Sequence, residues 1–343
     1  MDNSYDEEFI ELFQEDNGVH KIRQDQYLLL ADSTDMYKCA KRWIVLSPTT
    51  LKDRTSIRRE CLLKSYIYDK RNGVYKVDDR KILKANNFII PEIARAFGLQ
   101  SATYARFVID DDFSGELGRE ENIAGMYNRR PIYKLEPKKE YILTPSFLDT
   151  DEQFIAFGNI ISDDKEMRVS VIWKQIEKFL VTRNISKEDI KNIKKQYAIK
   201  SIFGAFVELN DNHNYNDGLI VSNDRSERDA RLAPAYDLDY SMGVYNVAES
   251  GFPIVHVKTA SNGRYELTDM LKEFKNVLTE KDISQIMDCV DPNKTTKIVE
   301  ETDKEYNLHL TDDVKKRYQK FFREKFEEMQ IFYREQYGKD YEI

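Results

Sequence analysis

The sequence predicts an α+β protein in two lobes, strand-rich over residues 1–147 and mainly helical over residues 148–343. Three observations carry that expectation. Short β-branched and aromatic runs bounded by turn residues crowd the first part, with one main apolar helix among them. Longer runs with apolar residues three and four apart dominate the second part. Between them Thr144-Pro145-Ser146-Phe147 breaks the pattern, because Pro145 has no N–H to give to a ladder. A chain of 343 residues also exceeds what one compact core usually holds.

The strand-rich part opens with an acidic amphipathic piece in which Phe9, Ile10, Leu12 and Phe13 form one helical face. Asp16-Asn17-Gly18 is a turn signal, and Tyr27 to Ala31 reads as a short strand. Trp43-Ile44-Val45-Leu46 is a second strand. Lys38, Lys41 and Arg42 precede it and Ser47-Pro48-Thr49-Thr50 follows, a setting that suits either phosphate contact or a solvated sheet edge. Nothing here is a glycine-rich phosphate loop. Arg58 to Tyr68 reads as a strand or short helix, and Val74 to Val77 as a strand closing a hairpin after Arg71-Asn72-Gly73. Asn86 to Leu99 follows helical periodicity through Ile90, Ile93, Ala94 and Phe97. Pro91 suits its first turn and Gly98 its stop. Ala102 to Ile109 reads as a strand, Gly115 to Arg130 as a polar loop, and Ile132 to Leu135 and Glu140 to Leu143 as short strands.

In the helical part, Val169 to Leu180 is amphipathic through Val171, Ile172, Ile176 and Leu180. Ser186-Lys187-Glu188-Asp189 has the form of a capping box. It opens a long helix through Ile190, Ile193, Tyr197, Ile202, Phe203, Phe206 and Val207, ending at Asn210. A polar knot follows at once, Asn210-Asp211-Asn212-His213-Asn214-Tyr215-Asn216, then an apolar strand from Gly218 to Val221. Phe252 to Val257 reads as a further strand, and helices are expected near 267–278, 280–289 and 312–336. The stripe Tyr318, Phe321, Phe322 and Phe326 of the last helix reads as core.

Composition narrows the function. A net charge of −8 argues against direct nucleic-acid binding as the main task, since phosphate neutralisation needs excess Lys and Arg. No apolar run reaches the length of a membrane span, and the acidic start does not read as a secretory signal. Cys39, Cys61 and Cys289 are odd in number and lack metal or redox spacing, so free thiols and a cytoplasmic location are expected. The four histidines form no metal-ligand pattern.

The chemistry lies in Asp211-x-His213-x-x-Asn216 followed by Asp237. Phoshoryl transfer asks a protein mainly to position reactants and neutralise charge. One carboxylate orients the attacking hydroxyl, and a second holds Mg²⁺ against the phosphates of ATP. An amide oxygen completes the metal shell, because Mg²⁺ keeps waters and needs few protein ligands. The short offset from Asp211 to Asn216 lets both face one site, and the longer offset to Asp237 suits a hairpin returning a strand beside the loop. His213 is placed to fix the loop backbone.

These residues also carry a resemblance. Asp211-Asn212-His213-Asn214-Tyr215-Asn216, with Leu232-Ala233-Pro234-Ala235-Tyr236-Asp237, resembles the paired signatures of the HipA-like serine/threonine kinases. The resemblance implies a two-lobed protein-kinase-like fold, Asp211 as catalytic aspartate, and Asn216 and Asp237 as Mg²⁺ ligands. Tyr141 to Phe147 is similar to the family's hinge strand, which implies adenine contacts at Thr144, Pro145 and Phe147. Pro91 to Leu99 is similar to the end of the N-lobe helix. The family's phosphate loop has no counterpart, its ATP lysine falls by order on Lys76 or Lys84 and by strand context on Lys41, and its helix glutamate aligns with Asn87, one turn before Glu92. A protein substrate carrying Ser or Thr is implied, and an antitoxin-like partner is compatible with the resemblance. Two alternatives stand beside this one. A small-molecule phosphotransferase of the aminoglycoside-kinase class uses a similar loop, and a catalytically weak pseudokinase would bind nucleotide alone.

Overall fold

Alternating apolar residues build the sheet of the strand-rich part, and a short helix covers it. The computed structural model describes residues 4–29, 41–53, 55, 57–65, 77–109, 123–127, 130–133, 140–161, 169–209, 216–223, 229–239, 241–242 and 267–341. The chain divides into two compact units, the first comprising 1–73, 102–147 and 305–307, and the second 74–101, 148–304 and 308–343.

The first unit begins with α1 (Ser4–Glu11) and continues through β1 (Glu15–Asp16), β2 (Val19–Ile22), β3 (Tyr27–Leu29), β4 (Lys41–Leu46) and β5 (Arg59–Ser65). After the chain returns it adds β6 (Ala105–Ile109), β7 (Ile123–Tyr127), β8 (Arg130–Tyr133) and β9 (Glu140–Pro145). Seven strands form one sheet in the order β1-β2-β6-β9-β5-β4-β3, while β7 and β8 pair with each other. Only β2 and β6 run parallel in that sheet. Register places Ile44 opposite Cys61, Leu63 opposite Leu143, and Phe107 opposite Tyr141. These side chains share one buried face with Ile22, Leu46, Ala105 and Ile109, under Phe9, Ile10 and Phe13. The period of two in the sequence is therefore the period of burial. Phe13 meets Phe107 edge to face at 5.6 Å, and Arg59 pairs with Asp6.

Several expectations change here. Leu12 is 52% exposed, because α1 ends at Glu11 and the turn points it away from the sheet. The expected loop 115–130 holds β7, whose partner β8 supplies a pairing that local polarity does not announce. Pro145 does not interrupt β9 but closes it opposite Cys61. Pairing with β6 has already ended at Leu143, so a missing N–H there costs no ladder bond on that side.

The second unit starts with α2 (Val77–Ala96). That helix was expected from Asn86 and within the N-lobe; it begins at Val77, and it belongs to the second unit. The strand expected over 74–77 is thus replaced at Val77 by helix, with 74–76 outside the described residues. Ile82 and Leu83 are fully buried in its first half, and the helix runs on through Pro91. Then come β10 (Glu152–Ala156), α3 (Phe157–Ile160), α4 (Val169–Thr182), α5 (Lys187–Phe206), β11 (Gly218–Ser222), β12 (Ala230–Leu232), α6 (Leu267–Glu273), α7 (Glu280–Cys289), α8 (Pro292–Glu305) and α9 (Asp312–Tyr337). The strands β10-β11-β12 form a small antiparallel sheet. The strand expected over 252–257 lies outside the described residues. Helix α8 has few apolar residues and was not foreseen, although Thr295, Val299 and Thr302 are buried at helical spacing in it. Tyr318, Phe322 and Phe326 are buried as the stripe of α9 requires.

Candidate active site

The site is built from the end of α5. Ser186 caps this helix, its Oγ accepting the Asp189 N–H at 3.1 Å. Ile190, Ile193, Tyr197, Ala198, Ile202, Phe203 and Phe206 bury its inner face. Phe206 meets Phe97 at 5.0 Å and stacks on Phe322 at 5.8 Å, so the C-terminal turn is held by α9 and the end of α2. The helix stops at Phe206 rather than at Asn210. Glu208 takes a left-handed φ of 47°, and the Leu209 N–H turns back to Gly204 O at 2.9 Å. The Lys325 ammonium, on α9, lies 3.1 Å from Glu208 and 2.8 Å from Glu328. Burial works against its charge, but the two carboxylates hold its pKa above the ordinary lysine range. The chain thus reaches the polar knot from a fixed point. Asp211 and His213 themselves lie outside the described residues.

Beyond the knot, Asn216 leads into β11 and Asp237 follows β12. Leu219 pairs with Leu232 and Val221 with Ala230. The antiparallel register brings Asn216 and Asp237 to the same end of the hairpin, as the spacing predicted. Gly218 is required where it stands, since a Cβ there would lie 2.3 Å from Ile155 O in β10. The Lys200 ammonium, on α5, joins the two arms of the hairpin. It donates to Asp217 Oδ1 at 2.7 Å, to Ala233 O at 2.9 Å and to Pro234 O at 3.2 Å. Periodicity alone leaves Lys200 as one of many helix lysines.

Asp237 has a φ of 56°, a left-handed conformation that Asp tolerates better than most residues and that recurs at functional sites. The backbone on either side is anchored. The Ala235 N–H donates to Gln100 O at 2.8 Å, and the Ser101 hydroxyl to Ala235 O at 3.2 Å. Beyond Asp237, the buried amide of Asn86 donates to Asp239 O at 2.9 Å and Ser241 O at 3.1 Å. The Asn86 carbonyl accepts the Tyr318 hydroxyl at 2.7 Å. The Met242 N–H returns to Val207 O at 2.7 Å, closing a ring from α5 through the hairpin and back to α5.

The remaining predicted positions divide between the units. Thr144 and Pro145 end β9 in the first unit, followed by Phe147. The Thr144 hydroxyl donates to Thr103 O at 2.5 Å, and the Ser146 N–H to Glu60 O at 2.8 Å. Lys84 sits on α2 in the second unit, while Lys76 lies outside the described residues. Asn87, aligned with the family's helix glutamate, is buried and donates to Leu83 O at 2.9 Å in its own helix. Glu92 is taken by Arg95.

Among the described residues no group of three or more His, Cys, Asp or Glu side chains could hold a metal ion. A Mg²⁺ site needs none, because one carboxylate, one amide oxygen and waters satisfy it. Asn216 and Asp237 supply hard oxygen donors of that kind from one end of a braced hairpin, so the residues fit the ion. Among the described residues no helix is long and apolar enough to cross a membrane.

Neither a family model nor a curated protein sequence matches this chain. Among solved structures, it is similar to the proinflammatory kinase CtkA of Helicobacter pylori, with a TM-score of 0.50 and 12% identity over 89% of this chain and 92% of that one. It is also similar to a chain of the Shewanella oneidensis MR-1 toxin–antitoxin complex of HipA, HipB and operator DNA, with a TM-score of 0.45 and 10% identity over 87% of this chain and 65% of that one. The α+β fold is therefore that of a kinase, shared with CtkA over most of the length.

Proposed function

We propose that this chain is a HipA-like serine/threonine protein kinase that transfers the γ-phosphoryl group of ATP to a protein hydroxyl, its own among them. One observation carries the reading. The hairpin β11–β12 brings Asn216 and Asp237 to one end, with Asp237 in a left-handed backbone and both arms bonded to Lys200. The kinase fold shared with CtkA supports it.

Mg²⁺, when bound, would neutralise the charge that develops on the phosphates. The chain's own residues do the rest. Asn216 and Asp237 would hold the ion through their side-chain oxygens. Asp211 takes the hydroxyl proton of the substrate, and His213 holds the loop backbone in shape. Thr144, Pro145 and Phe147 receive the adenine, and Lys76 or Lys84 meets the phosphates. The partners in this reading are a protein substrate and an antitoxin-like protein, in the cytoplasm.

The test is transfer from γ-labelled ATP with Mg²⁺. Label should appear on this chain or on an added protein, and Asp211→Ala should cut the rate by about 10²–10⁴-fold. Asp237→Ala should abolish Mg²⁺-dependent nucleotide binding by calorimetry, and unchanged binding would remove Asp237 as a ligand. Label found only on a small metabolite would make the chain a small-molecule phosphotransferase. Nucleotide bound without transfer would make it a pseudokinase, a reading that the engagement of Asn87 and Glu92 within α2 favours.

A further inference from the structure

We infer that Lys200 is a positioning residue that sets the separation of the two metal-ligand segments; its link to metal binding rests on the phosphoryl-transfer reading above. The hydrogen-bond ladder of the hairpin ends just where the ligands begin. Its last rung is the Ala233 N–H to Gly218 O at 3.0 Å. In the alternation of an antiparallel pair the next bonding position is Asn216 with Ala235, but the Ala235 N–H donates to Gln100 O at 2.8 Å instead. Lys200 takes over at that point. A lysine ammonium has three N–H donors, and all three find acceptors: Asp217 Oδ1 beside Asn216, and the carbonyls of Ala233 and Pro234 ahead of Asp237.

The bracket is itself held on both sides. Asp217 Oδ1 also accepts the Gly218 N–H at 2.8 Å, and Asp217 O accepts the Phe157 N–H at 2.9 Å. Lys200 springs from the buried, aromatic-packed end of α5, between Ala198 and Ile202. The side chains of Lys200 and Asp217 are only 11% and 14% exposed, so solvent competes little for these bonds. A point charge on a flexible stem reaches three acceptors from one rigid helix, which neither strand offers alone.

The experiment compares Lys200→Met, Lys200→Arg and the double variant Lys200→Met with Asp217→Asn against the native chain. The double variant removes the unpaired carboxylate that could unfold the single one. Lys195→Met is the control, since Lys195 pairs with Asp282 at 2.6 Å on the same helix but away from the hairpin. Hydrogen exchange without ligand should quicken in both 216–223 and 229–239 in the Met variants, less in the Arg variant, and not in the control. The Mg²⁺ concentration needed for nucleotide binding should rise by about tenfold or more in the Met variants, while any metal-free nucleotide binding stays unchanged. Native exchange rates in these two segments would overturn the inference, and so would faster exchange with an unmoved Mg²⁺ requirement. If the native chain binds no Mg²⁺ with nucleotide, the phosphoryl-transfer reading falls, and the exchange result alone then decides whether Lys200 brackets the hairpin.

Discussion

Gly218 shows how much one residue decides at this site. Its missing Cβ lets β10 approach β11, and any side chain there would meet Ile155 O at 2.3 Å and Ala156 Cα at 2.9 Å. Gly218→Ala should therefore destabilise the second unit by about 1–3 kcal/mol, the usual scale of forced overpacking. Denaturant midpoints would show it; an unchanged midpoint would mean that β10 yields freely. In the sequence, Asn216 reads as the end of the polar knot and Gly218 as the start of an apolar strand. The strand was legible, but the close approach was not, because the obstructing atoms belong to a strand some sixty residues earlier. The same holds for Asn86. It occupies a polar position on a helix, yet it is fully buried and binds Asp239 O, Ser241 O and the Tyr318 hydroxyl. The Ala-Pro-Ala-Tyr context singles out Asp237 as a candidate, but does not announce its left-handed backbone.

Among the elements, α5 and α9 were readable because their apolar residues recur over a long run, and α5 also because Ser186 caps its start. Ser186→Ala should cost about 1 kcal/mol, since it removes the acceptor of the Asp189 N–H at the start of α5. Thermal denaturation of the variant should show a lower midpoint, with the loss recovered by Ser186→Thr or Ser186→Asp. No loss in Ser186→Ala would mean that tertiary packing alone sets the start of α5. The hairpin β11–β12 was also foreseen, from the offset between Asn216 and Asp237. Helix α2 was legible only in its second half. Its first turns, Val77-Asp78-Asp79-Arg80, carry no apolar stripe, and Pro91 looked like a beginning when it lies in the interior. Strand β7 escaped because its pairing with β8 is not announced locally, and helix α8 because two of the three residues it buries are threonines.

At the scale of the whole molecule, the chain divides into two compact units. The first holds a titrating group that affects its stability. His20 stacks on Phe107 with ring centroids 5.0 Å apart, and burial lowers its pKa from the ordinary 6.5, against the opposing pull of the Phe13 backbone, Glu15 and Glu11. The folded state then binds this proton less tightly than the unfolded chain. Stability from His20 is complete above the unfolded value of 6.5 and falls as pH drops through it towards the folded value. Amide protection in β2 and β6, corrected for intrinsic exchange, should decline from about pH 7 to about pH 5, and His20→Gln should flatten that decline. An equal decline in the variant would assign it to other groups. By itself, the sequence determined the α+β class and the long helices, and it singled out Asp211, Asn216 and Asp237 as candidates, because period, capping and residue type are local properties. The tertiary structure alone decided that α2 belongs with the helical unit, that Gly218 admits β10, and that Lys200 spans the hairpin. Those depend on atoms far apart in the chain meeting at bonding distance, and no local pattern encodes such meetings.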